Sequence, residues 1–434
     1  MRPLRGLFLV VPGLALLALG LAGLHFQRSG ELPGFIAIVL AQGAVYFAAA
    51  FWTLSRRPSP LWLVLLFALL LRLPLFFTPP FLSTDIYRYV WDGRVQAAGI
   101  NPYRFIPAAP ELLPLRDEAI YSNINRRDYA VTIYPPAAQL FFLITTRISE
   151  SVTWMKASLL ACEALAIWLL CLLLRRTGRP AATVLVYAWH PLGLWELAGS
   201  GHLDAAAIAC ILAALLARAR GRNALTGVAL GVAALFKLYP LALVPALWRR
   251  GDWRMPAALT ATLALGYLPY LGVKSRVLGF LPQYTREEGL TTGARYYLLQ
   301  VAEYVTDRHL SPALYLVPAG LLLAALSAWA FLRQSDRQDE PARRSHLLAA
   351  AATFALSPHY AWYFTWLIPL ATLMACTPVL LLCATSFLLY VSLLVDTAAT
   401  ALLTGHLLYL PFAVSCMVWA ARAAPVTAEA AHAD

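Results

Sequence analysis

Residues 83–104 read Ser83-Thr84-Asp85-Ile86-Tyr87-Arg88-Tyr89-Val90-Trp91-Asp92-Gly93-Arg94-Val95-Gln96-Ala97-Ala98-Gly99-Ile100-Asn101-Pro102-Tyr103-Arg104, a charged island after three strongly apolar stretches. Pro79-Pro80 ends the preceding helix, and Ser83, Thr84 or Asp85 can cap a new one. Gly99 and then Pro102 stop it. At about 100° per residue, Asp85, Arg88, Tyr89, Asp92 and Gln96 share one face. Ile86, Val90, Ala97 and the ring of Tyr87 fall on the other. A short helix with a charged face and a greasy underside is expected to lie flat at a membrane surface. The plainer reading is a capped surface helix with internal salt bridges.

The flanking sequence decides between solvents. Of 434 residues, 60% are hydrophobic and 13% charged, with mean hydropathy +0.66, which makes the chain a polytopic membrane protein. Its apolar runs are too long for barrel strands, so they are helices. The net charge of +12 comes from arginines in short loops between those runs. That is the pattern of cytoplasmic anchors and excludes a nucleic-acid partner. The six cysteines (162, 171, 210, 376, 383 and 416) all fall inside apolar stretches, without metal or disulfide spacing, and read as small core residues. Met1-Arg2-Pro3-Leu4-Arg5 and the run behind it read as an uncleaved first span.

Spans are expected near 7–24, 34–54 and 60–78, with Arg2, Arg5, Arg56 and Arg57 in the cytoplasm. Residues 79–153 then form a first outer loop, in which 137–147 is too short to cross and lies in the interface. Spans near 154–174, 181–198 and 203–219 come next, with an outer turn at 197–204. Residues 224–248 make a hairpin of short helices around Lys237-Leu238-Tyr239-Pro240. Span 256–273 leads to a second outer loop, 274–310, and 311–332 returns to the cytoplasm. Runs near 346–357, 361–375, 378–395 and 401–421 complete one integral-membrane unit, 1–434, of about 13–14 membrane helices and no soluble domain.

The unusual polar residues gather on one side. Asp85, Arg88, Asp92 and Arg94 lie in the first outer loop, Glu196, His202 and Asp204 at the next outer turn. Lys237 tips the hairpin, Arg286, Glu287, Glu288 and Arg295 sit in the second loop, and His359, Tyr360 and Tyr363 flank a later turn. Charge at membrane depth is expensive, so this clustering points to a shared cavity suited to group transfer from a lipid phosphate. Each residue also has a bland role. Asp85 can be a cap, Lys237 can snorkel, and His202 and Asp204 can close a polar turn. Arg72 reads as an anchor, Glu163 has no evident partner, and His190 and His406 read as packing residues.

The run Ser83-Thr84-Asp85-Ile86-Tyr87-Arg88-Tyr89, with Trp91-Asp92-Gly93-Arg94 and Gly99-Ile100-Asn101-Pro102-Tyr103 behind it, resembles the first-loop signature of bacterial polyprenyl-phosphate-mannose-dependent mannosyltransferases. These are C-type (GT-C) integral-membrane glycosyltransferases. Tyr134-Pro135-Pro136, Gly199-Ser200-Gly201-His202-Leu203-Asp204, Phe236-Lys237-Leu238-Tyr239-Pro240 and Ser357-Pro358-His359-Tyr360 are similar and in the same order. The resemblance spans roughly residues 60–375 and implies an all-α GT-C-like bundle with juxtamembrane helices in the first outer loop. It further implies a hexose, mannose foremost, moved from a polyprenyl-phosphate donor to a glycan, lipid or protein acceptor at the outer face of the cytoplasmic membrane. Asp85 matches the catalytic aspartate and is expected to be the general base. Arg88, Arg94, Lys237 and Arg295 are expected to hold the donor phosphate. Tyr89, Trp91, Asp92, His202, Asp204, His359 and Tyr360 are expected to contact sugar or acceptor. Relatives carry paired or separated acids in this loop, whereas Thr84 precedes a single Asp85 here. A divalent cation (Mg²⁺ or Mn²⁺) therefore stays open and no metal ligand is assigned. The rival readings are a transporter or flippase of lipid-linked sugars, and an O-antigen polymerase or ligase.

Overall fold

The computed structural model describes residues 4–55, 60–335, 337–395 and 397–423, and among these the regular structure is entirely helical. Arg2, Arg56 and Arg57 lie outside the described residues. Six described helices are long and apolar enough to cross a membrane, and the bent pair Pro191–Gly199 and Asp204–Ala219 makes a seventh if it is one span. Shorter apolar helices, such as Leu61–Phe76, Pro136–Thr146 and Asn223–Phe236, pack among them. The chain is thus the expected polytopic all-α protein.

The spine of the bundle is residues 182–209, every one of them buried. A plain span was expected over 181–198. Instead the chain runs through short 3-10, α and π turns, because Pro180 and Pro191 each deny a helical hydrogen bond. The spine then bends by 119° into Asp204–Ala219. The bend passes through Gly201 at φ +72, where a Cβ would strike the Ile86 side chain.

Arg72 is no interface anchor, and Glu163 does have a partner. Arg72 Nε and Nη2 donate to the two Glu163 carboxylate oxygens at 2.8 and 2.5 Å, and Nη1 donates to the Ala188 carbonyl at 2.7 Å. The pair ties Leu61–Phe76 to Val152–Arg176 and to the spine, with both side chains buried. A buried charge pair of this kind holds only because its geometry is bidentate and the spare donor is also used.

The first loop folds as Asp85–Ala97 packed on Pro136–Thr146. Gly93 lets them touch, since a Cβ there would meet Thr146 and the Phe142 carbonyl. The charged face of the Asp85–Ala97 helix is turned into protein rather than headgroups. Arg88 Nε donates to Asp92 Oδ1 at 2.7 Å, and Asp92 Oδ2 accepts from Thr132 and Gln139 at 2.5 and 3.0 Å. The second loop is not bare either: it contains helices Leu281–Glu287 and Tyr297–Thr306. It is sewn to the first loop by Phe280 N donating to the Thr132 carbonyl at 3.0 Å and Arg126 Nε to Glu287 at 2.9 Å.

Candidate active site

Where these two loops meet the hairpin tip, they enclose a cavity of about 660 Å³. Its walls are the start of the Asp85–Ala97 helix, residues 125–135, the break after Asn223–Phe236, residues 280–295, and the segment from Ala352 to Trp366. Most of the lining is apolar. The charged lining residues are Asp85, Arg88, Arg126, Lys237 and Arg295.

Asp85 is the first residue of its helix, coming after Thr84, so it does not cap that helix. Asn125 Nδ2 donates to its Oδ1 at 2.8 Å, and the Ser83 hydroxyl accepts from its backbone N–H at 3.2 Å. It is partly exposed, on the cavity wall, while its neighbours Ile86 and Arg88 are buried. Local sequence dictates this placement: Pro79-Pro80 stops the preceding helix, and the new one can begin only after the turn at residues 81–84.

Lys237 stands where Pro240 and the extended backbone at residue 237 end the Asn223–Phe236 helix. Its Nζ donates to Asp204 Oδ2 at 2.6 Å and lies 5.4 Å from the Tyr363 ring centre. Arg295 approaches the same ring at 5.9 Å and is pinned by the Leu356 and Ser357 carbonyls at 2.8 and 3.2 Å. Tyr363 in turn shares a 2.6 Å hydroxyl contact with Tyr284.

Glu288 lies between two arginines. Its Oε2 is 3.3 Å from Arg295 Nη1 and its Oε1 3.7 Å from Arg126 Nη2. Burial pushes the Glu288 carboxyl above the ordinary glutamate range, against the pull of Arg295 and Arg126. Arg126 is held at φ +53, outside the relaxed backbone regions, which non-glycine residues tolerate mainly where the surroundings enforce it. Sequence reasoning missed Arg126 and Asn125. The one available signal was their position in the long polar loop that begins with the Asp85 motif.

The remaining expected site residues divide clearly. Tyr360 lines the cavity and stacks on Trp362 at 4.4 Å. Arg88 lines it too, although its Nε is committed to Asp92. Arg94 is turned away, its Nε bonded to Glu150 and its Nη2 to Asp117 at 2.7 and 2.8 Å. Tyr89 and Trp91 are core residues: Tyr89 stacks on Phe142 at 4.7 Å and Trp91 leans on Tyr121 at 5.5 Å. Neither lines the cavity, nor does Asp92, whose oxygens are spent on Arg88, Thr132 and Gln139. His359 is exposed and outside the lining. His202 sits behind the wall, stacked on the far face of Trp362 at 4.4 Å and 3.2 Å from Glu196 Oε2, whose Oε1 accepts from Tyr390 at 2.6 Å. Asp204 is wholly buried, accepting from Lys237 and, at 3.1 Å, from Tyr239, and it does not line the cavity. Among the described residues, no three His, Cys, Asp or Glu side chains are grouped as a metal ion would need.

The family model described as alpha-(1->6)-mannopyranosyltransferase, N-terminal domain, matches residues 12–249. The chain belongs to this family. The match covers Asp85, Asn125, Arg126, Asp204 and Lys237, and it stops before the segments that bring Arg295 and the tyrosine pair to this mannosyltransferase's cavity. No curated protein and no solved structure matches the chain.

Proposed function

We propose that this mannosyltransferase takes mannose from a polyprenyl-phosphate carrier, with Asp85 as general base and the cavity opening on the outer face of the cytoplasmic membrane. The observation that carries this reading is that one partly exposed carboxylate, Asp85, shares a largely apolar cavity with Lys237, Arg126 and Arg295. Asp85 takes the proton from the acceptor hydroxyl as that oxygen attacks the anomeric carbon. The bond from that carbon to the phosphate oxygen breaks, and the phosphate leaves with the electron pair. Cations and N–H donors at the phosphate stabilise the charge that develops there. A single displacement inverts the anomeric centre, so the α-product named by the family requires a β-linked donor. The (1->6) linkage in the same description fits a primary 6-hydroxyl as the attacking group, and a mannoside is the acceptor taken in this reading.

All four lining cations have carboxylate partners: Arg88 with Asp92, Lys237 with Asp204, Arg126 with Glu287, and Arg295 with Glu288. Phosphate is therefore recognised through aimed donors rather than through a net positive field. Lys237, with three donors and one spent on Asp204, is the best placed. Residues 1–434 act as one integral-membrane unit in this reading, with the loops 79–153 and 274–310 outside. The test is to incubate purified protein with labelled polyprenyl-phosphate mannose and an oligomannoside. Transfer of label to the oligomannoside is expected; intact donor after long incubation would refute the reading.

A further inference from the structure

One wall of the cavity is backed by a stack of three rings. Tyr360, which lines the cavity, lies on Trp362 with ring centres 4.4 Å apart and planes 9° off parallel. Trp362 lies in turn on His202, at 4.4 Å and 24°. His202 is the odd member, a polar ring only 1% exposed. Its Nε2 faces Glu196 Oε2 at 3.2 Å, but among the described residues neither ring nitrogen completes a hydrogen bond. An imidazole buried on those terms is costly, so its place needs a reason beyond packing. Glu196 holds it twice: the Glu196 carbonyl accepts from the His202 backbone N–H at 3.0 Å, while Tyr390 fixes the carboxylate behind the imidazole at 2.6 Å. Gly201, at φ +72, lets the chain leave the turn Leu194–Gly199 and bring the His202 ring against Trp362. The stack thus runs from the buried spine to the cavity.

We infer that His202, braced by Glu196 and Tyr390, is a positioning residue that holds Trp362 and Tyr360 as a flat platform for a hexopyranose ring in the cavity. The assignment rests on the reading of this cavity as the site of transfer. The chemistry is that of a sugar's C–H face, apolar and slightly positive, laid on the electron-rich face of an aromatic ring. Such a contact is lost when the ring tilts, so it needs a rigid backing. Tyr360 has little support of its own: it lies between the end of Glu340–Leu356, where Ser357 is at φ +43, and the short turn Ala361–Phe364. The ring stack supplies what the backbone does not. Both the donor's mannose and a mannoside acceptor offer a pyranose face of this kind, whereas the carrier's phosphate has none.

The test measures dissociation constants for three probes: polyprenyl phosphate without sugar, polyprenyl-phosphate mannose, and a mannobioside. Purified wild type is compared with His202→Leu, which keeps most of the buried volume but no flat ring, and with His202→Phe, which keeps the ring. His202→Leu is expected to weaken one or both mannose-bearing probes by about tenfold, the worth of one aromatic contact, and the sugar-free carrier by less than about twofold. Loss on the mannosyl donor puts the donor's mannose on the platform, and loss on the mannobioside puts the acceptor there. His202→Phe should recover most of either loss. Equal loss on all three probes, unchanged constants with fewer binding sites, or a Phe variant as weak as the Leu variant overturns the proposal. So that a misfolded variant cannot decide the matter, wild type is also photolabelled with donor and with mannobioside, each bearing a diazirine on its mannose. Label from either in the peptide holding Tyr360 and Trp362 supports the platform, and label from both confined to other segments overturns it. A wild type that binds neither the mannosyl donor nor the sugar-free carrier would instead refute the functional reading beneath it.

Discussion

Lys237 Nζ and Asp204 Oδ2 lie 2.6 Å apart, and only the lysine reaches the cavity. The pair joins the hairpin tip to the first turn of Asp204–Ala219, and Tyr239 holds the second carboxylate oxygen at 3.1 Å. In the proposed reaction Asp204 therefore acts on the donor through Lys237. Asp204→Asn should raise the donor KM by about tenfold with a smaller effect on kcat, the pattern of lost ground-state binding. Lys237→Ala should raise KM at least as much, and Lys237→Arg should recover part of it. A double variant no worse than either single one would show that the two act as a unit. Because Asp204 and Asp92 are committed to cations, turnover in excess EDTA is expected to stay within about twofold of the untreated enzyme, an effect far below the loss of a general base.

Glu288 gives the site a pH dependence with a definite sign. Its carboxyl is raised by burial, so on acidification from neutral it takes up a proton before an ordinary glutamate would. Protonation removes the negative charge shared by Arg126 and Arg295 and leaves both freer for phosphate. The proposed donor, a phosphodiester, keeps its charge throughout. Donor affinity should accordingly rise as pH falls. Glu288→Gln should bind donor more tightly at neutral pH and lose that dependence. Titrations of donor binding for both proteins check this; parallel pH profiles would argue against it.

Gly279 couples the two loops. At φ +58 it brings the chain so close to Thr132 that a Cβ would overlap the Thr132 carbonyl, the acceptor for Phe280 N. Gly279→Ala should push residues 280–290 off the first loop and weaken donor binding. Arg126→Ala, which removes the ion pair to Glu287 from the same junction, should weaken it in the same direction. Limited proteolysis of the second loop is expected to accelerate in both variants, a readout separate from activity.

Arg72 and Glu163 carry stability rather than chemistry. Both are buried, and neither lines the cavity. Glu163→Gln, which strands the guanidinium, should cost about 3–5 kcal/mol, the usual penalty for removing one partner of a buried pair. Replacing both, as Arg72→Met with Glu163→Leu, should recover most of the loss. Thermal unfolding in detergent measures both.

The membrane helices were legible because long unbroken apolar runs bounded by arginines admit few alternatives, and the helix Asp85–Ala97 was legible because Pro79-Pro80 and Gly99 frame it. Periodicity separates the two faces of that helix but does not say what covers them. Tyr89, Trp91 and Asp92 are therefore expected at sugars, although Phe142, Tyr121 and Thr132 respectively pack against or bond them inside the protein. Arg94 failed for the same reason, its partners Asp117 and Glu150 being remote in sequence. Arg72 and Glu163, 91 residues apart, show the same limit in the membrane. Arg126 reads like Arg127 beside it in the sequence, and what sets it apart is a positive φ and a contact with a loop far along the chain.

The central claim is that Asp85 removes the acceptor proton, and Asp85→Asn tests it most directly. Asn is nearly isosteric and keeps an oxygen for Asn125, so fold and donor site should persist. Turnover of labelled polyprenyl-phosphate mannose should fall by about 10²–10⁴-fold, the usual contribution of a positioned general base. Donor affinity measured on the same preparation should change by no more than a few-fold. Near-normal turnover in the folded, donor-binding Asp85→Asn protein would contradict the account.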